Sequence, residues 1–448
     1  MTETSRFRWG VATSAYQIEG GRTASKGESI WDRFAHTPGR ILDGETGDVA
    51  CDHFRRWEED VALMADLGVT AYRFSIAWTR IHPDGTGPAQ PEGLEFYDRL
   101  IDALIANDIE PIPTLYHWDL PQALEDRGGW RSRSTVDAFT EYATTVVAAF
   151  GDRVESWITH NEPWVAAFLG HLEGVHAPGL VNWEAALSAG HHILVSHGRA
   201  AREMREIAPD IRIGIALDCR PSWPATDSDE DRAAQRHFDG FRNRWFFDPV
   251  FGRGYPQDIV DTFRARGRFE DDLPPWVQDG DPAEIAAGID FLGVNYYTSI
   301  AVSAGADETE DTGVLPGSNP PAGYTEMGWE VTPDALTDFL VRVHGEYEPP
   351  SILVTENGAS YSDGPDASGS IQDDRRIAYL DSHVRAVAAA RKRGVPVDGY
   401  FAWSLLDNFE WSLGFSQRFG IVWVDHTDGR RIPKDSFDWY RARILAGI

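Results

Sequence analysis

Two cysteines in 448 residues, Cys51 and Cys219, are too few for a disulfide framework, and their spacing matches no metal site. They read as small buried thiols. Basic residues are scarce beside acidic ones: 41 Lys+Arg face 71 Asp+Glu, giving a formal charge of −30 and a pI of about 4.7. A chain of that sign is not expected to bind nucleic acid or an anionic membrane. No uncharged apolar run reaches the roughly 18 residues a membrane span needs, and the opening MTETSRFRWG lacks the apolar core of a signal peptide. None of the eight Asn residues begins an Asn-x-Ser/Thr sequon, so a cytoplasmic enzyme is the expectation. Also missing are the glycine-rich and Walker loops of nucleotide sites, the G-x-S-x-G elbow of serine hydrolases, and any H-E-x-x-H or H-x-H pattern. His191, His192 and His197 share one helical segment, but adjacent histidines point to different faces and no carboxylate is suitably spaced beside them. Neither a metal nor a cofactor is expected.

What is present is a globular composition, 42% hydrophobic and 25% charged, with glycine and proline spread along the chain. Apolar, β-branched runs recur at residues 7–14, 69–76, 110–116, 154–159, 211–217, 291–297, 352–355 and 399–403. Between most of them lie amphipathic segments with apolar residues at spacings of three and four: 53–67, 94–107, 135–150, 183–207 and 373–393. Strand then helix, eight times, predicts an α/β fold, a closed (β/α)8 TIM barrel occupying residues 1–448 as a single domain. Two stretches, 303–328 and 405–418, lack periodicity and read as long loops at the face where the strands end, where barrel enzymes place their active sites.

Polar and aromatic residues gather at those strand ends. Gln17 follows the first strand, Arg73 lies in the second, and His117 and Trp118 end the third. Asn161 and Glu162 end the fourth, Asn295 and Tyr297 the sixth, and Glu356 the seventh. Trp403 ends the eighth, with Glu410 and Trp411 beyond it. Two carboxylates placed where an apolar strand stops, Glu162 and Glu356, invite acid/base or nucleophile chemistry. The 17 tryptophans fit a polyol substrate, because indole faces pack on the C–H faces of sugar rings while Gln, His, Asn and Glu hold hydroxyls. More than half of them, Trp9, Trp31, Trp57 and Trp157 included, are expected in the core; Trp118, Trp329, Trp403 and Trp411 stand out by location.

In these motifs the chain resembles glycoside hydrolase family 1, the β-glucosidases. The segments FRWGVATSAYQIEG at 7–20, YRFSIAWTR at 72–80, LYHWD at 115–119, NEP at 161–163 and TENG at 355–358 are similar to the family's signatures, in order and along the whole chain. The resemblance implies a retaining glycosidase with Glu162 as acid/base and Glu356 as nucleophile, acting on a small β-glucoside or oligosaccharide, with β-galactosides and β-fucosides also in view. It implies further that Gln17, His117, Asn161, Glu410 and Trp411 hold the hydroxyls of the glycone and that Trp403 stacks on it. Asn295, Tyr297 and Arg73 would surround the nucleophile, and Trp118 and Trp329 would contact substrate, Trp329 as a wall of the aglycone site. Arg73 and Tyr297 are expected to lower the pKa of Glu356, whose charge in turn raises that of Glu162. His160 departs from the pattern, standing where the family more often has Leu or Phe; strand alternation is expected to turn it behind the site. A transglycosylating enzyme and a 6-phospho-β-glycosidase are the alternatives, the latter needing cations such as Arg418 or Lys434 near the last strand. Nothing in the sequence indicates an oligomeric state.

Overall fold

The computed structural model describes residues 7–270, 274–304 and 323–448. Eight strands, β1 (Arg8–Ala12), β2 (Ala71–Ser75), β3 (Glu110–Tyr116), β4 (Ser156–Asn161), β5 (Arg212–Cys219), β6 (Phe291–Tyr296), β7 (Ile352–Asn357) and β8 (Val397–Trp403), pair in parallel. They close in chain order, β8 pairing back onto β1 with Arg8 opposite Gly399 and Ala12 opposite Trp403. The expected barrel is therefore observed, and each strand falls where an apolar run was read.

The barrel interior is filled by side chains of uneven size. Ala12, Ala71 and Ala216 lie among Ile112, Ile158, Phe291, Leu353 and Phe401, so large rings from some strands occupy the space that alanines leave on others. The strands' other faces meet the surrounding helices: α1 (His53–Leu67), α2 (Pro91–Ala106), α3 (Ser134–Phe150), α4 (Trp183–Ile207), α5 (Pro333–Tyr347), α6 (Asp374–Lys392) and α7 (Asp435–Ala446). Trp9, Trp31 and Trp157 are buried in that layer and Trp57 partly so. Local signals set the helix ends. Asn182 caps α4 by accepting from the Ala185 amide at 2.8 Å, and Gly68, at φ +77°, ends α1 in a conformation that costs glycine nothing. α2 begins earlier than the apolar period indicated because Pro91 opens it, suited to a first turn that needs no N–H.

Four shorter α-helices and one π-helical turn, Gly240–Arg244, follow β5 among the described residues of 229–285, where no long amphipathic segment was legible. Two small sheets were not foreseen: Ser222–Pro224 pairs in parallel with Ile300–Val302, and Val422–Val424 pairs antiparallel with Arg431–Pro433. Three-residue strands are too short to show a period. Of the predicted loop at 303–328, residues 305–322 lie outside the described residues. The 405–418 stretch is irregular apart from one turn of 3-10 helix at Trp411–Leu413.

Candidate active site

The two strand-end carboxylates are aimed by the same device. β4 runs in register with β5 as far as Ile158 opposite Gly214, then slips, so that Asn161 is opposite Ala216. β7 slips against β6 between Val354 and Glu356. Each slip inserts one extra residue, a bulge that re-aims the next side chain toward the strand end. On β4 the consequence is visible residue by residue. Ile158 points into the barrel, Thr159 and His160 both turn outward to α4, where they meet His197 Nδ1 (2.7 Å) and Ser196 Oγ (2.9 Å), and Asn161 turns inward again. His160 therefore does sit behind the site, against Phe139 (4.4 Å between ring centroids), but alternation is not the reason. Residues two apart on a regular strand share a face, and it is the bulge that separates His160 from Glu162. Glu162 follows at φ +48°, a left-handed conformation rare for a residue with a Cβ, with its amide donating to Ala216 O at 2.8 Å.

Around these carboxylates the polar groups form one network. Arg73 Nη1 donates to Glu356 Oε1 (2.5 Å) and Nη2 to Asn161 Oδ1 (2.6 Å), while the Tyr297 hydroxyl donates to Glu356 Oε2 (2.6 Å). Asn295 Nδ2 donates both to Glu162 Oε1 (2.7 Å) and to Asn161 Oδ1 (2.9 Å), and its own Oδ1 accepts from Thr355 (2.7 Å). Asn161 Nδ2 donates to His117 Nε2 (3.0 Å). That bond leaves the His117 proton on Nδ1, a buried atom with no partner among the described residues.

The carboxylates differ in what opposes their burial. Burial pushes Glu162 well above the usual carboxylate range, Asp218 and Glu356 add to the rise, and the Asn295 bond and the charge of Arg242 resist it. Burial raises Glu356 as well, so the lowering expected from its neighbours does not win outright. Arg73 and Tyr297 hold the rise in check, leaving Glu356 the more acidic of the pair. Glu410 is pushed up to about 8 by burial and by Glu356, and is therefore largely protonated at neutral pH.

A cavity of about 340 Å³ opens over this network. Of the residues singled out in the sequence, Glu162, Glu356, His117, Trp118, Tyr297, Trp329, Trp403, Glu410 and Trp411 line it. The other four, Gln17, Arg73, Asn161 and Asn295, stand directly behind and hold the lining groups. Gln17 is occupied by Ser14 (2.6 Å), Asn408 (3.1 Å) and the Phe409 carbonyl (2.9 Å), with Glu410 at 3.5 Å. The aromatic wall is continuous: the His117 ring lies 5.9 Å from both Trp403 and Trp411, and Trp118 lies 4.5 Å from Trp411.

The sequence reading passed over the fifth strand, which contributes Asp218, and over Trp164, Arg220 and Arg242, all of which line the cavity. The signal was there. Asp218 ends an apolar strand just as Glu162 and Glu356 do, but no familiar motif surrounds it.

Arg418 and Lys434, weighed as phosphate ligands, are both spent on buried Asp407, each at 2.8 Å, and neither lines the cavity. The three helical histidines go separate ways, His191 to Asp281, His192 to the Trp130 carbonyl and His197 to Thr159. Both cysteines are buried free thiols, as read from the sequence, and Cys219 touches the cavity wall.

The model of Glycosyl hydrolase family 1 matches residues 2–446. Beta-glucosidase A of Thermotoga maritima is 46% identical over 436 residues, 97% of this chain and 96% of that protein. A bifunctional beta-D-glucosidase/beta-D-fucosidase of Bifidobacterium breve is 41% identical over 98% of this chain and 97% of its own length. Among solved structures, the Thermotoga maritima beta-glucosidase in complex with glucoimidazole superposes with a TM-score of 0.93 at 45% identity, covering 98% of each chain.

Proposed function

Since this chain belongs to glycosyl hydrolase family 1, we propose that it is a β-glucosidase that removes terminal β-D-glucosyl residues with retention, Glu356 acting as nucleophile and Glu162 as acid/base. The observation that carries the assignment is the unequal treatment of two carboxylates in one cavity. Arg73 and Tyr297 donate to Glu356, whereas Glu162 has one amide donor and two negative neighbours. The first is suited to carry charge and the second a proton.

In the first step Glu356 attacks the anomeric carbon while Glu162 gives its proton to the leaving oxygen, so the aglycone departs as a neutral alcohol and a glycosyl ester remains. Esterification removes the charge of Glu356. The pKa of Glu162 then falls, and the same group takes a proton from water as that water attacks the anomeric carbon and releases Glu356. Protonated Glu410 can donate to a sugar hydroxyl as well as accept from one, and the free Nδ1–H of His117 offers a second donor. Trp403 and Trp411 provide apolar faces for the glycone, and Trp329 a wall for the aglycone. The family match over nearly the full length supports reading residues 1–448 as one catalytic domain. Tolerance of β-galactosides and β-fucosides and a cytoplasmic address belong to the same proposal; the bifunctional relative supports the fucosides and the scarcity of cysteine the address. No helix among the described residues is long and apolar enough to cross a membrane.

The test is the anomer first released from an aryl β-glucoside, followed by proton NMR: β-glucose supports double displacement, and α-glucose rules it out. Transglycosylation shares every step but the acceptor, and product analysis with water against alcohols separates the two. The phosphoglycosidase alternative loses support from the engagement of Arg418 and Lys434 with Asp407.

A further inference from the structure

On the Glu162 side of the cavity stand two guanidinium groups to which this two-step chemistry gives no task. β5 is the strand beside β4, and Glu162 is tied to it by the bond to Ala216 O. Asp218 lies two residues farther along and Arg220 four, each residue adding roughly 3.3 Å toward the mouth. Because the acid sits over the leaving oxygen, this wall faces the aglycone, whereas Trp403, Glu410 and His117 come from other strands and face the glycone.

Arg242 is fixed there by its bond to Asp218 and by stacking on Trp164, its guanidinium carbon 3.4 Å from the ring centroid. Two of its nitrogens, Nε and Nη1, remain buried and without a partner among the described residues. Arg220 is held through its backbone, which exchanges bonds of 3.1 Å with the Asn243 side chain in both directions. Its guanidinium forms no ion pair among the described residues, and its Nε is buried and unpartnered. Burial and the like charge of Arg242 press its pKa down to about 10. The carboxylates nearest this charge, Asp218 and Glu173, act on it only through space, with no hydrogen bond or ion pair to the Arg220 guanidinium among the described residues. Arg73 occupies Glu356, Arg242 occupies Asp218, Glu410 is largely neutral, and Glu173 stands exposed at the rim. A half-buried cation whose Nε lacks an acceptor gains when a ligand brings an anion to it.

We propose that the aglycone side of this cavity takes a carboxylate-bearing leaving group, gripped by Arg220 with Arg242 as second donor, so that the preferred substrates are β-glucosides of hydroxyaryl acids. Trp164 and Trp329 in the same walls suit the aryl portion. The long-range repulsion of a chain of charge −30 is screened within about 8 Å at physiological ionic strength and does not cancel contacts at hydrogen-bond distance.

The proposal rests on the glucosidase reading, so the experiment separates the two. Wild-type enzyme is assayed on 4-nitrophenyl β-D-glucoside, then on the matched pair 4-(carboxymethyl)phenyl and 4-(carbamoylmethyl)phenyl β-D-glucoside, in which the methylene insulates the phenol and equalises the leaving groups. Hydrolysis of the nitrophenyl compound upholds the glucosidase reading by itself. The expected kcat/KM ratio, carboxylate over carboxamide, is about tenfold or more in the wild type. In Arg220→Gln it collapses to within about twofold of unity. A wild-type ratio at or below one overturns the proposal without reference to any variant, and so does an undiminished ratio in Arg220→Gln.

Discussion

Arg73 holds its Nη1 2.5 Å from Oε1 of Glu356, both side chains almost wholly buried, so the group read as the nucleophile is born into an ion pair. The same guanidinium reaches Asn161, one residue before Glu162, through Nη2. One planar fork thus sets the position of Glu356 relative to the strand that carries Glu162.

Arg73→Lys keeps the charge and loses the fork. Turnover of an aryl β-glucoside is expected to fall by about 10²-fold or more, through kcat more than KM, because a single ammonium cannot orient both partners. Steady-state kinetics beside circular dichroism checks it; an unchanged kcat in a folded variant contradicts the role given to Arg73.

Loss of Glu162 should depend on the leaving group. In Glu162→Gln, substrates with poor leaving groups need protonation and are expected to slow by roughly 10²–10⁴-fold. Activated aryl glucosides should show a burst of aglycone followed by slow deglycosylation that azide, which needs no base, accelerates. Equal slowing of both classes, with no burst and no azide effect, would return Glu162 to a merely structural role.

The direction of the Glu162 shift fixes the alkaline side of the pH profile. The protonated form is the active one, so kcat/KM is lost as pH rises through a pKa well above the usual carboxylate range. Asp218 contributes to that shift after burial, and Asp218→Asn is therefore expected to move the alkaline limb to lower pH. A limb that stays in place, measured on the same substrate, argues against this coupling.

Glu410 links pH to stability with the opposite sign from most carboxylates. Its pKa is about 8 when folded, against about 4.3 for an unfolded chain, so between these values the native state binds more protons and stability falls as pH rises. Glu410→Gln removes this loss. Its denaturation midpoint relative to wild type should improve steadily from pH 5 to pH 8; a pH-independent difference contradicts the shift.

Much of this was legible beforehand, for reasons that differ by residue. The apolar run 352–355 stops at an acid and the run 154–159 stops three residues before one, and the closure of parallel strands brings such ends together, so Glu162 and Glu356 were found by pattern. His160 shows the limit of pattern. Period two pairs it with Glu162, and only the register against β5 reveals the bulge that parts them. The sign of the Glu356 shift was out of reach for a related cause: its cationic and hydroxyl partners are visible in the sequence, whereas the burial that outweighs them is a property of the closed barrel. Arg220 and Arg242 were missed because one lies just past the end of β5 and the other in a π-helical turn, Gly240–Arg244, and neither place is marked by an apolar period in the sequence.

The central claim is that Glu356 becomes covalently bound to the sugar, and mechanism-based labelling tests it most directly. Enzyme treated with an activated 2-deoxy-2-fluoro-β-glucoside, whose fluorine slows the second step more than the first, is digested and its peptides are mapped by mass spectrometry. The account predicts one sugar per chain, on the peptide containing Thr355-Glu356-Asn357, with activity lost in proportion. A label on Glu410 or Glu162, or turnover that continues with no label, would contradict it.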